Sequence, residues 1–290
     1  MIGSGRARLR LRAAASVVKP MGARAWRSEL SRRAVDETAD AARRSCLVLA
    51  PHPDDETLGA GALIARKRAA GTRVRVLVIT DGRDSHRSSI VDADALAVVR
   101  REESMRACAS LGVPVDDVLH LGLREGTVRA RFAEVVAKVV DHIESLQPED
   151  VLVTSGWDWH LDHQACADVA RAALRHTPGP RLLEYPVWCW ADGPWSGRPG
   201  RTAWRATRDL FVEPVATARA AHPVRVGTEP QHLGAKRAAL AAYASQTTNL
   251  TGEPDWAVME QAFLDLFLRD EEIFFRSAET PATPVQRSVT

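Results

Sequence analysis

Residues Cys46-Leu-Val-Leu-Ala-Pro-His-Pro-Asp-Asp-Glu-Thr57 change character twice within a dozen positions. The first five are apolar without a break, as in a strand covered on both faces of a parallel sheet. Pro51 and Pro53 cannot continue a hydrogen-bonded ladder. The pattern then turns helical over 57–70 and is closed by Gly71. The same strand–loop–helix unit recurs downstream. Strands are predicted at 73–80, 115–121, 150–154 and 181–188, and helices at 94–111, 128–146 and 162–175. This alternation predicts an α/β fold: a single-domain, Rossmann-like, doubly wound and mostly parallel sheet with helices on both faces. Ligands of such sheets bind beyond the carboxyl ends of the strands, so the loops that follow strands are the place to seek chemistry.

The flanks read differently. Residues 1–20 contain no acid and few large apolar groups, which predicts a flexible basic tail. A helical extension is expected over 21–44, with Trp26, Leu30 and Ala34 at helical spacing in a helix over 25–42. The α/β domain is placed at 45–275. After residue 188 the pattern loosens into a Trp/Gly/Pro-rich segment to about 204, followed by helices at 232–244 and 255–267 and an apolar run at 273–275. Residues 276–290 read as a disordered tail.

Composition narrows the function. The chain has 290 residues, 45% hydrophobic and 26% charged, the balance of a soluble globule with a sizeable core. No apolar run reaches the roughly 20 residues of a membrane span. The net charge of +2 is uneven: residues 1–44 carry eleven Lys/Arg against four Asp/Glu, and the rest carries 28 against 33. A mildly acidic body argues against a nucleic-acid surface. Cys46, Cys108, Cys166 and Cys189 are too scattered for a zinc ribbon or a disulfide scaffold. The apolar stretch 13–18 stops at Lys19-Pro20, too short for a secretory signal, so a cytoplasmic location is expected.

Two post-strand loops carry the chemistry. In the first, His52 and Asp55 lie three residues apart, close enough for one tight turn to aim an imidazole and a carboxylate at one point, a donor set suited to zinc. Asp54 and Asp55 point in different directions, so one can bind metal while its neighbour stays free as a base. An Asp-Asp pair before a helix also serves as a cap. The second loop is Ser155-Gly-Trp-Asp-Trp-His-Leu-Asp-His163. Its His160-x-Asp162-His163 run offers another ligand, a histidine able to act as an acid, and a carboxylate to orient it. Gly59 and Gly61 fail the spacing of a dinucleotide-binding loop.

With these motifs the sequence resembles the PIG-L/LmbE-like family of zinc-dependent N-acetylglucosaminyl deacetylases. Lesser landmarks agree: Thr80-Asp-Gly82, Arg101-Glu-Glu with Leu111-Gly-Val113, and Lys236 with Tyr243-x-Ser-Gln246. The resemblance spans about residues 45–250. It implies that His52, Asp55 and His163 ligate zinc and that Asp54 is the general base. It further implies that His160 stabilises the tetrahedral intermediate or protonates the leaving amine, with Asp162 holding it in place.

The activity so implied is removal of an N-acetyl group from an N-acetylglucosamine-type small molecule or glycoconjugate, giving acetate and a free amine. Zinc is the expected cofactor, with another divalent ion as the alternative, and a homo-oligomer is left open. Trp157, Trp159 and Trp188 are candidates to stack on substrate, and Arg83 and Arg101 to meet an anionic group. Competing readings are an amidase acting on a larger acyl group and a metal- or sugar-binding protein without turnover.

Overall fold

The computed structural model describes residues 21–194 and 212–276. Eight strands form one sheet: β1 (Val35–Asp36), β2 (Cys46–Ala50), β3 (Val74–Thr80), β4 (Val118–Leu123), β5 (Asp150–Thr154), β6 (Arg181–Tyr185), β7 (Pro223–Gly227) and β8 (Glu271–Arg276). Their order is β1-β7-β8-β6-β5-β2-β3-β4. All pairings are parallel except those of β8, which runs antiparallel to β6 and β7. From β2 the chain builds outward through β3 and β4, then returns to place β5 on the other side of β2. The loops after β2 and β5 therefore lie side by side at the point where strand order reverses, the usual position of a ligand crevice.

The eleven described helices are α1 (21–33), α2 (Thr38–Ala41), α3 (Asp55–Ala69), α4 (Ala93–Ser110), α5 (Phe132–Leu146), α6 (Leu161–His176), α7 (Cys189–Asp192), α8 (Glu213–Ala220), α9 (Pro230–Ala241), α10 (Ala244–Thr247) and α11 (Gln261–Leu264). None of the described helices is long and apolar enough to cross a membrane. Strand alternation divides the apolar run of β2 between two cores. Val48 and Ala50 join Trp26, Leu63, Tyr185 and Phe274 on one face, and Leu47 and Leu49 join Val139, Ile143 and Val169 on the other.

Helix α3 is buried along most of its length. The ring of Tyr185 lies where a Cβ on Gly59 would sit, 2.0 Å from Cδ2, and its hydroxyl donates to Leu49 O at 2.8 Å. Gly59 and Gly61 thus serve close packing. Farther along, Lys236 Nζ donates to Leu58 O at 2.8 Å, and Glu272 accepts from the amides of Ala62 and Leu63 at 2.9 and 2.8 Å.

Four expectations are corrected. The helix expected over 25–42 ends at residue 33, where Val35 and Asp36 pair with Val224 and Arg225 and extend the sheet. Strand β7 escapes the hydrophobic pattern because it opens at Pro223, directly after His222 at φ 45°, and carries Arg225. The strand expected to reach 188 stops at Tyr185, before Pro186. The helix expected over 255–267 is helical only at Gln261–Leu264, because Trp256 Nε1 donates to Ser245 O and Met259 N to Gln246 O, holding the preceding stretch against α10. Residue 276, expected in the tail, ends β8. The tail readings for 1–20 and 277–290 and the segment 195–211 lie outside the described residues.

Gly59→Ala should destabilise the fold by about 1–3 kcal/mol through overpacking against Tyr185, read as a lower urea midpoint with an unchanged slope. An unaltered midpoint would show that the Tyr185 ring can yield.

Candidate metal-binding active site

The loop after β2 is fixed from several sides. Pro51 O accepts from the amide and hydroxyl of Thr80 at 2.9 and 2.7 Å, tying the loop to the end of β3. The first residue of α3, Asp55, turns back so that Oδ2 accepts from the amide of His52 and lies 3.0 Å from His52 Nδ1. The same oxygen is 3.2 Å from Nε2 of His163, which comes from α6 beyond the neighbouring strand β5. Donors around a tetrahedral zinc at ~2.0–2.1 Å are about 3.3 Å apart, and the two spacings match.

Each imidazole has a carboxylate at its far nitrogen. Asp158 Oδ2 is 2.9 Å from His163 Nδ1 and also accepts from Val187 N at 3.0 Å, while Oδ1 accepts from Cys189 N at 2.8 Å. That arrangement puts the ring proton on Nδ1 and leaves Nε2, buried and without a hydrogen-bond partner, as a lone-pair donor aimed at the site. Asp162 Oδ2 lies 3.4 Å from His52 Nε2 and accepts from Gly126 N at 2.7 Å. Burial works against charge on either ring, yet the carboxylates outweigh it and raise His52 to about 9 and His163 to about 10, so each ring holds a proton that a bound cation would displace. The centre is built to hold positive charge, and its donor set fits a divalent cation.

His160 caps α6, with its Nδ1 accepting from the amide of Asp162 at 3.3 Å. Its ring centroid is 4.6 Å from that of His52 and 5.0 Å from that of His163. Ligand atoms of these three histidines lie within 4.8 Å of one another, so His160 is also within metal reach. Burial, helped by the two neighbouring imidazoles, lowers His160 to about 4.

Asp54 points elsewhere. Its Oδ2 accepts from Arg100 Nη2 at 2.9 Å. Arg100 also donates to Pro53 O at 2.6 Å and Gly82 O at 3.2 Å. Gly82 has φ 70°, and a Cβ there would fall 2.4 Å from Arg100 Nη1, so both backbone and space require glycine. Burial raises Asp54 to about 8, against the pull of Arg100. Asp54 itself sits at φ 129°, a conformation L-residues rarely adopt. Its amide donates to Glu56 Oε2 at 3.2 Å, and Glu56 is in turn held by Thr57 Oγ1 at 2.6 Å and by the Tyr243 hydroxyl.

A cavity of about 530 Å³ opens over these groups, lined among others by His52, Asp54, Asp55, His160, Arg100 and Glu125. Several sequence readings change here. Arg101 is exposed on α4, and Arg100, one helical step of 100° away, reaches the site instead. Arg83 is engaged by Asp81 and Asp94 outside the cavity lining. Trp157 packs on Phe275, with ring centroids 5.4 Å apart, and does not line the cavity, whereas Trp159 and Trp188 do. The Asp162 carboxylate faces His52 and Gly126, so it does not hold the His160 ring; only its amide meets that ring. Asp158, Arg100 and Glu125 were missed. Asp158 lay within the quoted loop, but only its placement against His163 reveals its part.

Residues 47–174 match the family model described as PIG-L, GlcNAc-PI de-N-acetylase. Among curated relatives, a probable N-acetyl-alpha-D-glucosaminyl L-malate deacetylase 2 of Bacillus subtilis is 31% identical over 133 residues, covering 44% of this chain and 59% of that protein. The chain thus spans about three fifths of that relative's length. Among solved structures, the A40926 pseudoaglycone deacetylase Dbv21 superposes with a TM-score of 0.59 at 20% identity, covering 83% of this chain and 100% of that one. The zinc-inhibited form of teicoplanin deacetylase Orf2 gives 0.57 at 18% identity, covering 81% and 99%. At such identities these likenesses speak to the fold, which this chain shares.

Asp158→Asn places an amide NH₂ or a weaker acceptor against three donors. It should weaken divalent-metal affinity about 10–100-fold and lower stability by about 1–3 kcal/mol, read by chelator competition and urea titration. Unchanged metal affinity would show that His163 needs no such support.

Proposed function

We propose that this chain is a metal-dependent hydrolase that removes the acetyl group from an N-acetylglucosamine-type small molecule or glycoconjugate, releasing acetate and a free amine. The observation that carries the reading is the Asp55 oxygen set between His52 and His163, with a second carboxylate, Asp54, facing the same cavity but bound to Arg100. A binding protein has no use for that second, separately held carboxylate.

His52, Asp55 and His163 would hold the cation, zinc or another divalent ion. When bound it would acidify a water molecule and polarise the amide carbonyl. Asp54 is the general base: Arg100 orients its carboxylate, and the hydrogen bond that its own amide donates to Glu56 fixes the backbone beneath it. His160, with Nδ1 accepting from Asp162 N, presents Nε2–H to the cavity and would donate to the oxygen on which negative charge develops. Water, as Asp54 takes its proton, adds to the carbonyl carbon; the carbon–nitrogen bond then breaks, and the proton held by Asp54 goes to the departing amine. The acetyl-sugar chemistry named for the Bacillus subtilis relative supports the substrate class.

Asp54→Asn should lower kcat for acetate release by about 10²–10⁴-fold while bound metal per chain stays constant by elemental analysis. Chelation should abolish turnover and a divalent salt restore it. Acetate release untouched by both treatments would sink the reading.

A further inference from the structure

We propose that Tyr243 is a positioning residue for the general base, holding the backbone of Asp54 from outside its loop by way of Glu56. The inference rests on the deacetylase reading above and gives a part in it to a residue that lines none of the cavity. Asp54 and Asp55 are neighbours with different tasks: the Asp55 carboxylate faces His52 and His163, and that of Asp54 faces Arg100. Their divergence turns on Asp54 at φ 129°, a conformation that an L-residue leaves unless it is held. The Asp54 amide is one handle. It donates to Glu56 Oε2 at 3.2 Å, so the orientation of one buried carboxylate fixes the backbone that carries the base.

Glu56 needs a partner from elsewhere to keep that orientation. Thr57 Oγ1, 2.6 Å from Glu56 Oε1, belongs to the next residue of the same helix and turns with it. Among the described residues, the Tyr243 hydroxyl is the donor to Glu56 that comes from outside the loop. It lands on Oε1 and leaves Oε2 to the Asp54 amide. Both side chains are shut off from solvent, so no bulk water stands in for the hydroxyl. Tyr243 is itself well placed for the task. It precedes α10, whose Ser245 is gripped by Glu103 of α4 through amide and hydroxyl at 2.7 and 2.6 Å. Glu103 lies three residues from Arg100, on the same buried face of α4. One short turn of chain thereby steadies both holds on the base: its backbone through Glu56, and its guanidinium partner through the helix that bears Glu103.

A tie that only braced the fold would act on stability, metal content and substrate binding together, whereas a positioning residue acts on the chemical step. The test measures acetate release from N-acetylglucosamine and diacetylchitobiose by the metal-loaded protein, with kcat expressed per bound metal ion so that unfolded chains do not count. Tyr243→Phe is expected to lower kcat by about 10–100-fold, with KM and bound metal per chain unchanged. Glu56→Gln, which sets an amide NH₂ against the Asp54 amide or the Tyr243 hydroxyl, is the second variant. It should lose a similar factor, and the double variant no more than the worse single one. Unchanged kcat in Tyr243→Phe overturns the proposal, as do losses that multiply in the double variant or that appear in KM or bound metal instead. A second readout needs no turnover: the NMR resonance of the Asp54 amide in protein labelled at aspartate nitrogen. Tyr243→Phe should shift it and speed its hydrogen exchange at least about tenfold. Absence of acetate release by the unaltered protein counts against the deacetylase reading alone, and the amide then decides. A shifted, faster-exchanging amide keeps the hold of Tyr243 on Asp54, and an unchanged one overturns it.

Discussion

One carboxylate oxygen joins two segments more than a hundred residues apart. Asp55 Oδ2 touches His52 from its own loop and His163 from α6, and this contact exists only because β5 returns to lie beside β2. These three groups satisfy one another only in part, since each imidazole keeps a second nitrogen that needs a partner of its own. The arrangement therefore depends on the carboxylates behind the histidines, which compensate charge from outside the cavity and leave its inner side to a ligand.

Other buried carboxylates keep that inner side in place. Glu56 grips the Asp54 amide from below and the Tyr243 hydroxyl from beyond. Glu103 on α4 accepts from the amide and hydroxyl of Ser245 at 2.7 and 2.6 Å, anchoring α10. Glu272 on β8 takes two amides from the middle of α3 and the ammonium of Lys236. Each is buried, and each uses its acceptor capacity on groups from another part of the chain, so removal of any one strands several donors at once. Late segments of the sequence thus brace the early loop.

The sequence announced the centre of this fold because its strands are covered on both faces: Cys46–Ala50 and Asp150–Thr154 are found as read, and the loops after them converge as a parallel sheet requires. Its margins were obscure. Pro223–Gly227 carries an arginine and a proline where an inner strand would carry valine, and Val35–Asp36 is too short to show a period. In the site, spacing located His52, Asp54, Asp55, His160 and His163 around one cavity or centre, because those residues sit on two short loops. Spacing could not tell Arg100 from Arg101, since a helix turns 100° between them and both are the same residue type. Nor could it assign Asp158 or Asp162, whose partners are, for Asp158, His163 on α6 and, for Asp162, His52 and Gly126 from two other loops. The weak landmarks Lys236, Tyr243 and Ser245 become intelligible only as partners of Glu272, Glu56 and Glu103.

Asp54 is one of three non-glycine residues at positive φ among those described. Holding an aspartate there costs on the order of 1–3 kcal/mol, which a glycine would avoid only by leaving the buried Arg100 guanidinium without its carboxylate. Breaking a buried ion pair by removing one partner costs about 3–5 kcal/mol, more than the strain returns, so the guanidinium of Arg100 holds this residue in a backbone conformation it would otherwise leave.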